Sequence, residues 1–407
     1  MFGSLFPSIG ITIVGDGAVS PNVNPQMLVV GKTYTLTAMP AAGQVFVGWS
    51  GTFTSKNSKL TFTYRTNVQV QANFITSPYY PVAGTYNGLF YEDTGVRLPS
   101  SGAFNVVVTK AGTYSGKLQI GIKKLVFTGK LSLDLVATNR LVIGGFPVIL
   151  DFTPQDNRIT GHLTSGLWVS SVLADRARFN SLSNPAPYIG KYTMVVPGVS
   201  GDPLLPAGHG YGAVSVGGSG IAVFGGTLAD GTKVTQSAFL SENGQWPFYI
   251  PLYSGKGSVL SWLAFADRVN DDINGTLNWI KLPSGASKYY RGGFDFDSDA
   301  IGSTYTIPGV GTNILNLTTA QLTFDGGNLG SGFVNSVSFG TNSHLTNLSS
   351  NGLSVAFSPG KGTFLGKVVK PTGGKPVSFS GVVLQKANAG YGFLLGTNQS
   401  SQVLLAP

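Results

Sequence analysis

The chain has 407 residues, 42% of them hydrophobic, enough for two to four domains with real cores. It has no cysteine, which excludes disulfides, thiol catalysis, iron–sulfur clusters and cysteine-bound zinc. The formal charge is +9, yet the longest basic run is Lys123-Lys124; a nucleic-acid binder clusters its Lys and Arg, so no nucleic-acid partner is expected.

No stretch approaches the ~20 consecutive apolar residues of a membrane helix. The apolar stretch from Met1 to Gly10 is short and has no basic leader before it. The 57 glycines are about twice the ordinary share. They follow no three-residue period and fall between short apolar runs, as in a chain of many strands.

The first block runs from about Ile11 to Phe74. Ile11–Val14 reads as a strand and Gly15-Asp-Gly17 as a turn. Tyr34-Thr-Leu36-Thr-Ala38 alternates with period two, so one face is buried. Leu60–Tyr64 and Val68–Phe74 also alternate and read as a hairpin across Arg65-Thr-Asn67.

This block resembles the divergent internalin-B-type repeat of bacterial surface proteins. The motifs are Gly17-x-Val19-x-Pro21, Gly31-x-x-Tyr34-x-Leu36-x-Ala38-x-Pro40, Gly43-x-x-Phe46-x-Gly48-Trp49-Ser-Gly51 and Val70-x-Ala72-x-Phe74. The resemblance implies a small β-grasp-like module, a spacer or presenter on a secreted protein, with Trp49 as its core plug. It covers about residues 11–74; the module is expected to span 1–76, and a proline-bearing linker, 77–83, follows.

A second block, 84–185, opens on Gly84-Thr-Tyr86-Asn-Gly88. Strand signals follow at 103–109, 113–120, 124–128, 131–136, 141–143, 147–152, 158–163 and 167–173, separated by turn residues. The stretch Gly112-Thr-Tyr114-Ser-Gly116-Lys-Leu118 recurs as Gly362-Thr-Phe364-Leu-Gly366-Lys-Val368. A third block, 186–286, opens on Gly190-Lys-Tyr192, an echo of Gly84-Thr-Tyr86. A period near 100 residues marks domain duplication rather than a solenoid. A last block, 287–407, repeats the opening weakly at Tyr290-Arg-Gly-Gly-Phe294. The fold class is therefore all-β: a small N-terminal module, then tandem related antiparallel β-barrel or β-sandwich domains.

Residues 84–407 also look like a β-rich region of large secreted bacterial proteins. The motifs include Leu228-x-Asp230-Gly231, Gln245-Trp246-Pro247, Leu252-Tyr253, Trp279-Ile-Lys281 and Gly381-Val-Val-Leu384-Gln-Lys386. This resemblance implies a bacterial extracellular or cell-surface location and no chemistry.

Catalytic and metal signals are few. His162, His209 and His344 lie in different repeats, and the chain's glutamates are Glu92 and Glu242. No catalytic residue and no cofactor is expected. Asp295-Phe-Asp297-Ser-Asp299 is the candidate metal site, because residues two apart on a strand share a face. It departs from a calcium loop, with Ala300 and Thr306 where glycine and glutamate belong. Trp246, Trp262, Trp279 and Tyr253 are the candidate ligand-binding residues; such aromatics stack on sugars or fill a core. The expected role is a non-enzymatic secreted or cell-surface structural and adhesive protein, self-assembling into an oligomer or filament through β-edges. The alternative is a carbohydrate-binding protein that takes a cell-envelope glycan. An outer-membrane barrel, a third reading, fits the alternation but not the duplicated blocks.

Overall fold

The computed structural model describes residues 8–24 and 27–407, so most of the apolar stretch from Met1 to Gly10 lies outside the described residues. The chain forms two compact units. One is residues 1–83 with 109–112 and 131–135; the other is 84–108, 113–130 and 136–407.

In the first unit, β1 (Ile9–Val14), β2 (Gly17–Ser20), β3 (Thr33–Pro40), β4 (Gln44–Gly51), β5 (Lys59–Thr63) and β6 (Val68–Thr76) make two three-stranded sheets, β1-β6-β4 and β2-β3-β5. Leu36, Trp49, Phe62, Tyr64, Val70 and Phe74 fill the core. Trp49 is buried, and its indole N–H donates to the Ser58 carbonyl at 3.3 Å. The hairpin expected from Leu60 to Phe74 does not form: β5 pairs with β3, and β6 with β1 and β4. Asn67, at φ 62°, turns the chain so that both strands bury their apolar sides in one core from different sheets. A short helix, Tyr79–Val82, follows. The Tyr79 hydroxyl donates to the Leu131 carbonyl at 3.2 Å within the same unit.

The second unit holds three nearly closed eight-stranded antiparallel barrels. The first is β7 (Gly84–Tyr91), β8 (Gly102–Val108), β9 (Thr113–Ile120), β10 (Lys123–Lys130), β11 (Ala137–Ile143), β12 (Phe146–Gln155), β13 (Arg158–Ser165) and β14 (Val169–Arg176). The second is β15 (Gly190–Val196), β16 (Gly210–Val216), β17 (Ile221–Thr227), β18 (Lys233–Phe239), β19 (Gln245–Leu252), β20 (Gly257–Phe265), β21 (Ile273–Lys281) and β22 (Phe294–Thr304). The third is β23 (Thr319–Asp325), β24 (Phe333–Phe339), β25 (Leu345–Asn347), β26 (Leu353–Ser358), β27 (Thr363–Val368), β28 (Val377–Leu384), β29 (Ala389–Leu395) and β30 (Ser400–Ala406).

Each barrel is a meander whose first strand pairs with its last. Arg176 lies opposite Tyr86, Thr304 opposite Tyr192, and Ala406 opposite Gln321. The ladder is interrupted between the fourth and fifth strands in the first two barrels and between the third and fourth, β25 and β26, in the third. The second barrel closes with Phe294–Thr304, past the limit of 286 that the weak echo at Tyr290 suggests. That echo is the entry to a closing strand, not to a new domain. The strand expected at 131–136 is absent as well. Leu131 N–H bonds the Gly112 carbonyl, Leu135 has φ 64°, and the strand begins at Ala137.

The recurring Gly-x-aromatic-x-Gly stretch has a packing cause. Gly116 lies opposite Phe127, and Gly366 opposite Phe379. A Cβ on either glycine would collide with that ring, so the missing side chain lets a phenyl ring lie across the strand into the core.

Side-chain amides reach across the seam in the first two barrels and tie down its flank in the third. In the first barrel Asn139 Nδ2 donates to the Tyr114 hydroxyl at 2.9 Å. In the second, Gln236 Nε2 donates to the Pro247 carbonyl at 2.9 Å. In the third, Asn335 Nδ2 donates to Asn347 Oδ1 (3.1 Å) and Asn351 Oδ1 (2.6 Å), and Asn351 returns a bond to Asn335 Oδ1. Asn335 is fully buried. Asn335→Ala strands two amide partners, so a loss of about 1–3 kcal/mol is expected. Thermal unfolding checks this; an unchanged melting temperature would remove the latch from the third barrel's stability.

The barrels of the second unit join through side chains. Leu89 of the first packs with Tyr249 and Leu260 of the second, and Gly121 N–H donates to the Tyr249 hydroxyl at 2.7 Å. Between second and third, Val195 packs on Val382 and Leu384. Thr193 Oγ1 donates to the Val383 carbonyl at 2.6 Å, and Lys386 Nζ reaches Asp267 (2.6 Å) and Asp272 (2.7 Å).

Candidate functional site

The structure separates the four aromatic candidates. Trp246 is 0% and Trp279 1% exposed, so neither is a platform. Trp246 points into the second barrel and meets Phe248 edge-on at 5.0 Å. Pro247 follows it without difficulty because β19 borders the seam, where a proline costs no ladder bond.

Tyr253 and Trp279 belong to a buried network under one end of that barrel. The Tyr253 hydroxyl donates to Asp230 Oδ2 at 2.7 Å, and Trp279 Nε1 donates to that hydroxyl at 3.1 Å. Lys281 Nζ lies 2.9 Å from Asp230 Oδ2 and donates to the Tyr289 carbonyl at 2.9 Å. Its ammonium sits 4.5 Å from the centre of the Tyr253 ring. Burial, then the Asp230 carboxylate, pushes the Tyr253 phenol far above its ordinary pKa. The phenol is thus a fixed donor. These residues hold the barrel and are not placed to meet a ligand.

Trp262 is different. It faces outward from β20, half-buried, and lines a cleft of about 640 Å³. One wall is the turn after β7, with Tyr91, Glu92, Asp93 and Arg97; the floor is the outer face of β20, β21 and β22. On that floor Leu260 lies opposite Asn278, and Asn278 opposite Asp297. Asn278 Nδ2 donates to Asp295 Oδ1 and Asp297 Oδ1, both at 2.9 Å. The two carboxylates fix that amide's orientation, since its oxygen could not face them. Glu92 is held by Ser100 Oγ at 2.5 Å and Arg97 at 3.7 Å. Two polar atoms in the cleft wall are buried and unpaired: the donor Trp262 Nε1 and the acceptor Asn278 Oδ1. Buried polar atoms are ordinarily satisfied, so these two stand out among the residues that line the cleft.

Asp295 and Asp297 therefore belong with Trp262, while Asp299 accepts a bond from Thr276 Oγ1 at 2.8 Å. The metal expectation for these three aspartates is corrected by strand geometry. Asp295 and Asp297 close on the Asn278 amide while Asp299, farther along the strand, turns to Thr276, so the three carboxylates do not meet at one point. Among the described residues no three His, Asp or Glu side chains come together closely enough to hold a metal. His162 and His344 are exposed, His209 is buried, and they do not converge.

Sequence reasoning missed the rim, Glu92 to Arg97, because it comes from another barrel. One signal was present. Leu89 is apolar at an outward position of β7, which marks a strand covered on both faces.

Residues 8–78 match the family model for a divergent InlB B-repeat domain, which bears out the resemblance read in the first block. No curated protein matches the chain. Among solved structures, intact Ap-TbpB, with N and C lobes, aligns over 96% of this chain and 86% of its own, at 10% identity and a TM-score of 0.20. Transferrin binding protein B of Haemophilus parasuis Hp5 aligns over 96% and 85%, at 10% identity and 0.19. That of serogroup B Neisseria meningitidis aligns over 89% and 86%, at 10% identity and 0.19. At these scores the likeness carries no argument about ligand or partner.

Proposed function

We propose that the chain is a non-enzymatic, surface-displayed bacterial adhesive protein that binds a saccharide in the cleft between the turn after β7 and the outer face of the second barrel. The observation that carries this is the pairing of the Trp262 indole with an unpaired donor and acceptor among carboxylates. An indole offers a flat apolar face for a sugar ring, and carboxylates accept strong bonds from sugar hydroxyls. A volume of about 640 Å³ lies within the usual range for a ligand cleft. The InlB B-repeat match at residues 8–78 supports the surface reading.

Self-assembly through β-edges is the less favoured reading. Each meander pairs its first and last strands, which leaves only the seam strands as edges, and closure is how barrels avoid edge-to-edge pairing.

A glycan array with wild type, Trp262→Ala and Asp297→Ala tests the proposal. Wild type is expected to bind a set of glycans, and each variant to bind them about tenfold or more weakly, about 1.4 kcal/mol. Trp246→Ala is expected to lower the melting temperature instead, as loss of a buried indole does. A blank array with folded wild type, or binding indifferent to both cleft variants, would overturn the reading.

A further inference from the structure

Successive turns at one end of the first barrel carry large exposed apolar side chains. The odd-numbered strands of this barrel run one way, so the turns β9–β10, β11–β12 and β13–β14 share an end. Each presents one such residue: Ile122 (65% exposed), Phe146 (58%) and Leu167 (79%). Val142 and Val169, also exposed, flank the last two. A Cβ built on Gly144, Gly145 or Gly166 would meet no atom within 4 Å, so those two turns project clear of the barrel. Folding ordinarily hides such side chains; an exposed apolar cluster marks a contact surface.

These three turns themselves carry only basic charge, while the neighbouring turn after β7 carries Glu92 and Asp93. Lys123 and Lys124 follow Ile122 directly. On the adjoining outer face Lys117 lies opposite the exposed Val126, and Arg140 opposite Ile149. Residues 113–130, 136–149 and 164–170 contain no Asp or Glu. Asp134 lies in the β10–β11 connection at the barrel's other end, and Asp151 accepts a bond from Thr138 Oγ1 at 2.6 Å.

From this arrangement we infer that the end of the first barrel docks on an anionic lipid bilayer. The three tips stand on separate turns, that of Ile122 beside Gly255 of the second barrel, so they offer little shape for a rigid protein partner to match. A fluid acyl layer accepts each tip independently, while adjacent lysines meet headgroup phosphates.

Co-sedimentation of the full chain tests this, with vesicles of phosphatidylcholine alone and of phosphatidylcholine mixed with phosphatidylglycerol. Binding is expected to the mixed vesicles, weakening as salt rises, and not to the neutral ones. The triple variant Ile122→Ser, Phe146→Ser, Leu167→Ser should bind about tenfold or more weakly, and Lys123→Glu with Lys124→Glu likewise. All five side chains are exposed, so both variants should keep the wild-type thermal unfolding curve. No pelleting with mixed vesicles would overturn the inference, as would undiminished binding by the triple variant. A sizing profile in which the tips hold two copies together, with no vesicle binding, would assign them to self-association instead.

Discussion

Asp230→Ala is expected to destabilise the second barrel by about 3–5 kcal/mol, the usual cost of removing one partner from a buried ion pair. The Lys281 and Asp230 side chains are 5% and 1% exposed. Without Asp230, the ammonium would keep only the Tyr289 carbonyl and the face of Tyr253. Tyr253 would lose its acceptor, and Thr232 N–H would lose Asp230 Oδ1, now 3.0 Å away. Lys281→Met alone should cost a similar amount, since it leaves a carboxylate in the same place. Combining Lys281→Met with Asp230→Leu should recover most of the loss, because two apolar side chains need no counter-charge. Chemical denaturation at neutral pH checks all three, with the fluorescence of Trp279 beside the network as a local reporter. Single variants that each cost under about 1 kcal/mol, the range of an exposed pair, would show the network to be wet in solution.

Acid should weaken the join between the second and third barrels before it titrates most carboxylates. His209 is 8% exposed. Its backbone N–H donates to the Gly392 carbonyl at 3.0 Å, its Nδ1 accepts from Gly198 N–H at 3.1 Å, and its ring meets Tyr391 edge-on at 5.6 Å. With Nδ1 accepting, the neutral ring carries its proton on Nε2, which is buried without an acceptor. Burial lowers the imidazole pKa from 6.5 to about 4. The unfolded chain therefore binds this proton more readily than the folded one. The stability from His209 is fully present above pH ~6.5, declines as pH falls toward ~4 and then levels, an effect of about 3 kcal/mol. Asp272 acts in a lower window. Burial alone would raise its pKa, but bonds from Lys386 and Thr304 outweigh it and hold the carboxyl below its usual value, so its contribution is lost only at still lower pH. His209→Asn keeps an acceptor near Gly198 and removes the titration. Its stability should be flat over the window in which wild type declines. Parallel curves for the two proteins would exclude His209 as the sensor.

Much of the fold could be read from local pattern. Alternation located most strands, and the shared opening at Gly84 and Gly190 located two barrels. On β22, Asp295, Asp297 and Asp299 already alternate with Phe294, Phe296 and Ser298, outward against inward. Period-two alternation does not say which face is which, however, and that is why Trp246 and Trp279 read equally well as platform or core. The motifs around Asp230, Tyr253, Trp279 and Lys281 were visible, but their convergence depends on strands far apart in the chain. The cleft is less legible still. Its rim at 91–97 and its floor at 260–297 come from different barrels, and no local spacing relates them.

The pairing of first and last strands has a mechanical consequence. The chain enters each barrel two residues from the position that faces its exit: Gly84 beside Tyr86, Gly190 beside Tyr192, Thr319 beside Gln321. Tension along the chain therefore pulls at one corner of each barrel. The closing ladder opens rung by rung, like a zipper, instead of resisting as a set of bonds sheared together. With no cysteine in the chain, no disulfide limits how far each opened barrel pays out, at ~3.3–3.6 Å per residue. Barrels connected this way are expected to yield gradually under load and to lengthen as they open.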